Sequence, residues 1–548
     1  MFFRAATVLP LQLFFLPRLT LSEMKRIATL FLLTHSLWAA TEGQALFTEC
    51  PVEQTGIDFV HPYEPDHPRS YLYYPGLAVG NVSLGDVNGD ELLDVYLVGA
   101  AGENALWLNQ GGLKFAAGEL AQTVRGGSTW GTGASLVDID NDGDLDLYQC
   151  NYDAPNQLFL NDGTGSFFEV EGAAGLDVHD ASVQSYFADV DNDGDLDLFL
   201  ICTEYFLPTG RPTEMPVISS NGFPEVKPEY RKHLRLKLNS SANYELTEYG
   251  RADYLFLNVS ETNGGRLKFR DVSRESGVQM RGWGLSSVWW DYDSDGDLDL
   301  YVANDFEEPD RLFRNDGVGK DGVPQFTNVI DQVFPHISLS SMGSDFADIN
   351  HDGLPDLISV EMAATTHYKA KTSMGELTPF RREVLTQSVP RQYMRNHLQI
   401  NTGVGFFQEM ARMSGVSSTN WSWVVKFGDL DNDGYQDVFI SNGIAKELMN
   451  ADREQVIGDL AKARIGNTMW DLMKDASPQP EKNLVFQNTD GKIFKKRSDW
   501  GLGLLGMSYA SAMGDLDNDG DLDLLVSDLG KRTKVYENEA PSGKSLRV

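Results

Sequence analysis

Seven nine-residue stretches of this 548-residue chain each crowd oxygen ligands onto a single turn. They follow the pattern Asp-x-Asp/Asn-x-Asp-Gly-x-x-Asp and begin at Asp86, Asp138, Asp189, Asp291, Asp348, Asp429 and Asp515. Side chains at positions 1, 3, 5 and 9 offer carboxylate or amide oxygens, and position 7 offers a backbone carbonyl. The candidate ligand sets are therefore Asp86, Asn88, Asp90, Leu92 and Asp94, then Asp138, Asp140, Asp142, Asp144 and Asp146, then Asp189, Asp191, Asp193, Asp195 and Asp197. The later loops give Asp291, Asp293, Asp295, Asp297 and Asp299, then Asp348, Asn350, Asp352, Leu354 and Asp356. The last two give Asp429, Asp431, Asp433, Tyr435 and Asp437, and Asp515, Asp517, Asp519, Asp521 and Asp523. All donors are hard oxygens, which suits Ca²⁺ with its six to eight flexible ligands better than octahedral Mg²⁺. Without a cation the clustered carboxylates would repel one another. An EF-hand loop shares these spacings but requires a bidentate acid at position 12. Position 12 is here Leu97, Gln149, Leu200, Val302, Ser359, Ile440 and Val526, which excludes it. The loops at 138, 189, 291 and 515 match the pattern best, and the loop at 86 carries Glu91 where the others have glycine.

The flanking residues alternate as strands do, with turn residues between them. Each loop is followed by an apolar run such as Leu-Asp-Leu-Phe-Leu-Ile-Cys. A second short strand then ends in Asn, as in ALWLN, QLFLN, YLFLN and KVYEN. A third landmark is a Phe-led segment, anchored at Phe47, Phe115, Phe168, Phe269, Phe326, Phe407 and Phe494. Six of these lie 21–23 residues ahead of the next aspartate loop. Four strands per unit, called A to D, follow: A enters the loop, B leaves it, C carries the Asn and D begins with the Phe. Four-stranded units repeated about every 50 residues are the signature of propeller blades. The expectation is an all-β, seven-bladed β-propeller over 46–548. The N-terminal D strand would complete the last blade and remove an open edge.

The formal charge is −35 and the pI about 4.5, so the surface repels phosphate backbones and nucleic acid is excluded as a partner. Three cysteines, Cys50, Cys150 and Cys202, make no disulfide framework. Cys150 and Cys202 read as two buried thiols, with a bridge as the alternative. Met24-Lys25-Arg26 ahead of the apolar run Ile27 to Trp38 and then Ala39-Ala40 reads as a secretory signal peptide. Residues 1–45 are thus expected to be a targeting segment with an upstream extension, and Met24 the start. No later stretch has the apolar length of a transmembrane helix. The mature protein is expected to be secreted or otherwise extracytoplasmic.

All seven aspartate loops connect A to B, while the insertions at 203–253, 361–395 and 442–482 follow strand B and that at 57–80 precedes strand A. They are expected on the opposite face, as loop and helical elements, with 443–475 helical. Loop variation is where binding usually resides. Trp130, Trp283 and Trp421 each lie eight residues ahead of an aspartate loop. They read either as packing between blades or as a stacking platform for a sugar or peptide.

The aspartate loops and Phe segments resemble the FG-GAP/VCBS-repeat family, the propeller type of integrin α chains. The segments HLQINTGVGFFQEMARMSGVSSTNWSW (397–423) and FGDLDNDGYQDVFISNG (427–443) look like the bacterial ASPIC/UnbV-associated, cartilage-acidic-protein-like group. The chain ends at SGKSLRV, about where an ASPIC/UnbV domain would begin. The resemblance implies adhesion or binding of an extracellular carbohydrate or protein, with calcium structural. A propeller enzyme acting on extracellular polysaccharide and a scaffold for another secreted protein are the rivals. No HExxH, GxSxG or clustered histidines support catalysis.

Overall fold

The computed structural model describes residues 45–541 apart from 74–75, 77–79, 119–122, 127–128, 209–213, 221, 239–242, 261–265, 306–307, 373–386, 448–449, 451–455 and 457–475. The signal-peptide expectation and almost all of the helical expectation for 443–475 lie outside these residues. Leu46–Val548 forms one compact unit.

Antiparallel strand pairing gives seven four-stranded units: four are separate sheets, the second and third join into one sheet through His179–Ala181 against Tyr152–Pro155, and the sixth gains Met362–Ala363 as a fifth strand. The first is Val82–Gly85, Asp94–Leu97, Ala105–Asn109 and Phe115–Ala117, in chain order as strands A to D. The second is Trp130–Val137, Asp146–Pro155, Gln157–Asn161 and Phe167–Glu169, and the third His179–Ala188, Asp197–Cys202, Tyr254–Asn258 and Phe269–Asp271. Gly284–Trp290, Asp299–Asn304, Arg311–Val318 and Pro324–Asn328 make the fourth; Ser344–Ala347, Asp356–Ser359, His397–Asn401 and Phe407–Glu409 the fifth. Asn420–Gly428, Asp437–Asn442, Leu484–Asn488 and Phe494–Lys496 make the sixth. The last sheet joins Ser508–Gly514, Asp523–Asp528 and Lys534–Asn538 to the N-terminal strand Phe47–Cys50, with Phe47 opposite Asn538. Each A strand touches the A strands of the two neighbouring sheets, and the seventh touches the first. The sheets are therefore blades of a β-propeller around a central channel.

Sequence chemistry explains the radial order. The B strands are buried on both faces between neighbouring blades, as in Asp197–Cys202 and Asp437–Asn442, and so read as unbroken apolar runs. The D strands are outer edges. Most are three residues long and put charged side chains outward, as in Phe-Arg-Asp and Phe-Lys-Lys, which blunts edge-to-edge pairing. Apolar clusters join adjacent blades, for example Ile139, Tyr148, Leu158, Leu198, Leu200 and Phe256 between the second and third. Burying each large side chain there contributes about 1.5–3 kcal/mol. Cys150 and Cys202 sit in this cluster as free, buried thiols.

The D-strand Phe pairs with the strand-C Asn in all seven blades; it opens its strand and the Asn closes its own in six, while in the fourth both strands run on past the Asn315–Phe326 pair. In the second blade this Phe is Phe167, buried at 3% exposure, while Phe168 is 61% exposed. The sequence expectation of Phe168 is thus off by one, and strand alternation turns it outward. On the insertion face, the residue ahead of strand C pins the B–C turn. The side chains of Asn104, Asn156, Asp253, Asp310, Asn396 and Asn483 accept the N–H of Gly99, Asn151, Cys202, Asn304, Glu361 and Asn442 at 2.8–2.9 Å.

The insertions differ from one another. That at 203–253 is not helical in its main elements but folds as two hairpins, Val217–Ser220 with Phe223–Val226 and Leu234–Leu238 with Tyr244–Glu248. That at 361–395 carries the helix His367–Thr372 and the strand Arg391–Tyr393, which pairs in parallel with His336–Ser338. The 57–80 segment packs Tyr71, Leu72 and Tyr73 with Trp130, Tyr152 and Phe206 over one end of the channel.

Candidate metal centres

Each aspartate loop is a tight A–B turn held by its own carboxylates. The position-1 Asp accepts the N–H of position 5 through one oxygen and of position 6 through the other, as Asp189 does from Asp193 and Gly194 at 3.0 Å. The position-5 Asp accepts the N–H of position 7, as Asp193 does from Asp195 at 3.0 Å. Position 6 is left-handed in every loop, with φ of 84–97° at the six glycines and 66° at Glu91. Glu91 thus takes the same turn at a steric cost that glycine avoids. Position 4 is left-handed as well, at Gly89, Asn141, Asn192, Ser294, His351, Asn432 and Asn518. Its preference for Asn is the signal that would have revealed this.

Five loops bring three carboxylates so close that one oxygen of each lies within 4.8 Å of the others. Four combine positions 1, 3 and 9: Asp138/Asp140/Asp146, Asp189/Asp191/Asp197, Asp429/Asp431/Asp437 and Asp515/Asp517/Asp523. The loop at 291 combines positions 1, 3 and 5, namely Asp291, Asp293 and Asp295. The loops at 86 and 348 place the neutral amides Asn88 and Asn350 at position 3.

Position 9 does more than close the turn. It is buried in every loop. Its Oδ2 accepts the N–H of position 2 at 2.9–3.4 Å. Its Oδ1 accepts the N–H of the Asn that ends strand C, at 2.7–2.9 Å. That Asn then sends its amide across the blade boundary. Asn109, Asn161, Asn258, Asn315, Asn401, Asn488 and Asn538 donate to the position-2 carbonyls of the preceding blade's loop, Leu516, Val87, Ile139, Val190, Tyr292, Ile349 and Leu430. The result is a closed sevenfold ring of Asp–Asn links that ties every loop to its neighbour. Position 4 adds further links. Asn141 donates to Asp195 at 2.7 Å, Asn192 to Asp297 at 2.9 Å and Asn518 to the Glu91 carbonyl at 3.1 Å, while His351 stacks on Tyr435. The side chains of Asp195 and Asp297 at position 7 are thus cross-blade acceptors. The sequence shows the strand-C Asn as a repeated letter, but its reason lies across a blade boundary that no local pattern reveals.

The electrostatics of these loops fit a bound cation. Burial pushes the position-9 carboxyls up against the pull of their backbone hydrogen bonds, with neighbouring aspartates adding to the rise. Asp94 reaches about 6, Asp146, Asp356 and Asp523 about 7, and Asp197, Asp299 and Asp437 about 8. Asp191 is pushed up to about 6 by burial and by Asp193 and Asp189. One oxygen each of Asp191, Asp431 and Asp521 is buried without a hydrogen-bond partner. A buried carboxylate oxygen without a donor is costly, and a divalent ion supplies the missing partner.

Of the three tryptophans read as a stacking platform, none presents one. Trp130 is fully buried, packed edge-on against Tyr73 and tilted against His67 of the 57–80 insertion. Trp283 and Trp421 are buried in a cluster with Met342, Met362 and Ile444. Their apolar surface is taken up by packing where the insertions meet the A strands.

Three stretches, 86–149, 138–200 and 291–359, match the FG-GAP-like repeat. The chain thus carries FG-GAP-like repeats. Among solved structures, one of an Agrocybe aegerita lectin that recognises non-reducing terminal N-acetylglucosamine is similar, at 13% identity and TM-score 0.40. It covers 82% of this chain and 86% of the lectin. A second, BBS1N in complex with ARL6DN, has 6% identity and TM-score 0.39, covering 91% of this chain and 99% of that one. No curated protein matches the chain. Among the described residues, no helix is long and apolar enough to cross a membrane.

Proposed function

We propose that this protein is an extracytoplasmic, calcium-dependent binding propeller. Calcium in the aspartate loops holds the blades in register, and the insertion face meets a carbohydrate or protein ligand. The observation that carries the reading is the coupling of four of the five candidate cation clusters, those at 138, 189, 429 and 515, to the Asp–Asn ring. An ion held by positions 1, 3 and 9 fixes the very carboxylate that orients the strand-C Asn toward the next blade. Calcium therefore acts as a clamp between blades as well as within one loop. The Asp ligands would be those of the five acidic clusters, with Asn88 and Asn350 contributing amide oxygens in the other two loops. On this reading the chain is not an enzyme, and its kinship with the ASPIC/UnbV-associated group extends through segments 397–423 and 427–443.

The test has two arms. Titrating the EGTA-treated protein with calcium by calorimetry should give tight, multi-site binding; failure to bind calcium ends the cation part of the reading. Incubation of the calcium-loaded protein on polysaccharide and peptide arrays, read for both retention and product, should give retention alone. Product would transfer the reading to a propeller enzyme.

A further inference from the structure

The central channel holds a cavity of about 340 Å³, at the small end of ligand sites. Each blade contributes at least one hydrogen-bonding side chain to its wall. The first three give Ser83, Thr132 and Gln184; the next four give Ser286, Ser344, Lys426 and Ser511. At one end stand Trp423 and Tyr509, rings 4.7 Å apart, which also line the cavity. That end is closed by the aromatic stopper of the 57–80 segment. Gly76 lies so close beneath Trp423 that a Cβ there would stand 2.7 Å from the indole.

The wall is unusual within its own molecule. The loop-forming Asp and the strand-C Asn are the same residue type in all seven blades. The polar side chains lining this cavity are not: Ser83, Thr132, Gln184, Ser286, Ser344, Lys426 and Ser511 differ in type and stand three, six, five, five, four, three and four residues before their aspartate loops. Closing a seven-bladed ring asks only for the repeated residues. Polar side chains of unequal length, arranged without the sevenfold symmetry of the backbone, do nothing for closure and fit an asymmetric guest. One of them is left wanting: Ser511 is 7% exposed and its Oγ has no partner. The one charged side chain of the wall, Lys426, is offset by an acidic neighbour behind it. The Lys426 ammonium lies 4.0 Å from the Asp345 carboxylate of the adjacent blade.

We infer that this chamber is a binding site for a small neutral polyhydroxylated ligand, of the size of a mono- or disaccharide. Hydroxyls, an amide and a neutralised ion pair supply donors and acceptors to ring hydroxyls, and the Trp423–Tyr509 wall covers an apolar sugar face. The site is bounded on the insertion side by Gly76 and Gly80 of the 57–80 segment, is separate from the cation loops, and stands whether or not the calcium reading does.

Isothermal titration of the full, calcium-saturated chain with glucose, galactose, mannose, maltose, cellobiose and glycerol tests it, with glucuronate and glucosamine as charged controls. At least one neutral sugar is expected to bind saturably. Ser344→Phe, which fills the chamber, should weaken that binding at least tenfold, and Lys426→Gln several-fold, at an unchanged melting midpoint. No saturable binding up to about 10 mM of any neutral probe overturns the inference, since weaker affinity is no site. Preference for a charged control overturns the ligand class. Should Ser344→Phe fail to fold, Lys426→Gln decides alone: because its side chain is 43% exposed, an unchanged affinity there overturns the site.

Discussion

The two faces of this propeller are built on opposite principles. On the aspartate face one device is repeated seven times: an acidic turn, a buried position-9 carboxylate and an Asn that crosses to the preceding blade. On the insertion face the turn-pinning Asn or Asp recurs, but what is mounted on it differs in every blade. Two hairpins stand on the third, a parallel strand pair and a short helix on the fifth, and an aromatic stopper ahead of the first. The contrast teaches where the ring gets its stability. Closing a propeller needs each boundary to be equally firm, because one weak boundary opens the ring, so the closing device must repeat. The insertion face is free of that demand and can vary.

The largest test of this contrast is removal of calcium. At free calcium ten times above Kd, each site adds about 1.4 kcal/mol, so the five acidic clusters together would supply about 7 kcal/mol, comparable with the whole stability of a typical domain. EGTA should therefore lower the melting midpoint strongly and broaden the transition as blade boundaries loosen. A midpoint indifferent to EGTA would show that the Asp–Asn ring closes the propeller unaided. The second test compares the faces directly. Asn161→Ala removes the amide that donates to the Val87 carbonyl at 2.7 Å and leaves that buried acceptor unpaired, for a loss of about 1–3 kcal/mol. It should also weaken calcium binding at the loop at 138, because the Leu145 carbonyl beside Asp146 loses its amide donor at 3.0 Å, although Asp146 keeps the backbone N–H of residue 161. Asn156→Ala, the insertion-face counterpart, should cost similar stability in urea melts but leave calcium affinity unchanged. Equal effects on calcium from both variants would break the comparison.

Much of this was legible in the sequence because the repeat is its own internal alignment. The acidic loops, the strand-C Asn and the order of strands recur often enough to be seen without a second chain. The N-terminal Phe47–Cys50 strand declared itself by lacking its own A, B and C. What could not be read are contacts between blades. The partner of Asn161 is 74 residues away, and nothing in QLFLN points to Val87. Phe167 and Phe168 are adjacent and identical in type, so only pairing opposite Asn161 decides which is buried. The tryptophans were open between packing and stacking because the 57–80 segment that covers Trp130 has no periodicity to announce where it folds. Of the two hairpins of 203–253, the first carried a readable signal in Asn221-Gly222 between its strands, while the second, with Asn-Ser-Ser-Ala-Asn at 239–243, carried none.

A third test looks for acid sensitivity on the insertion side of the fifth blade, where the variable elements join. His397 is 1% exposed, and neither ring nitrogen has a hydrogen-bond partner. The groups facing it are His336, at 5.2 Å between rings, and Arg395, with Glu409 bound to Arg395 at 3.1 Å. Burial, and then the His336 ring and the Arg395 guanidinium, hold its pKa well below the usual histidine value. The unfolded chain therefore takes up a proton near pH 6.5 that the folded one refuses. Stability contributed by the neutral ring is complete above that pH and falls as the pH drops below it, by up to about 1.4 kcal/mol per pH unit. His397→Phe should flatten the pH dependence of the urea midpoint between pH 7 and 5. A slope unchanged by the substitution would assign the acid sensitivity elsewhere.

The smallest expected effect concerns the one aspartate loop that departs from the rest. Glu91 holds φ at 66° where every other loop has glycine, and the loop accepts the strain because Asp86 takes its N–H at 2.7 Å. Glu91→Gly removes a left-handed cost of about 1–2 kcal/mol and adds back glycine's entropy loss of about 0.5–1 kcal/mol. The net gain should lie between about 0 and 1.5 kcal/mol, with the sign stabilising. Calcium affinity of this loop should rise with it, since the turn no longer competes with ligand geometry, while the six glycine loops keep theirs. Calorimetric titration of the variant against the parent resolves this as a change in the weakest class of sites only. If Glu91→Gly instead destabilises, the Glu91 carbonyl, which accepts the Asn518 amide at 3.1 Å, is holding the closing blade boundary in a way that a flexible residue cannot. The first loop would then be specialised for closure of the ring, and the sevenfold face would be less uniform than its sequence repeats suggest.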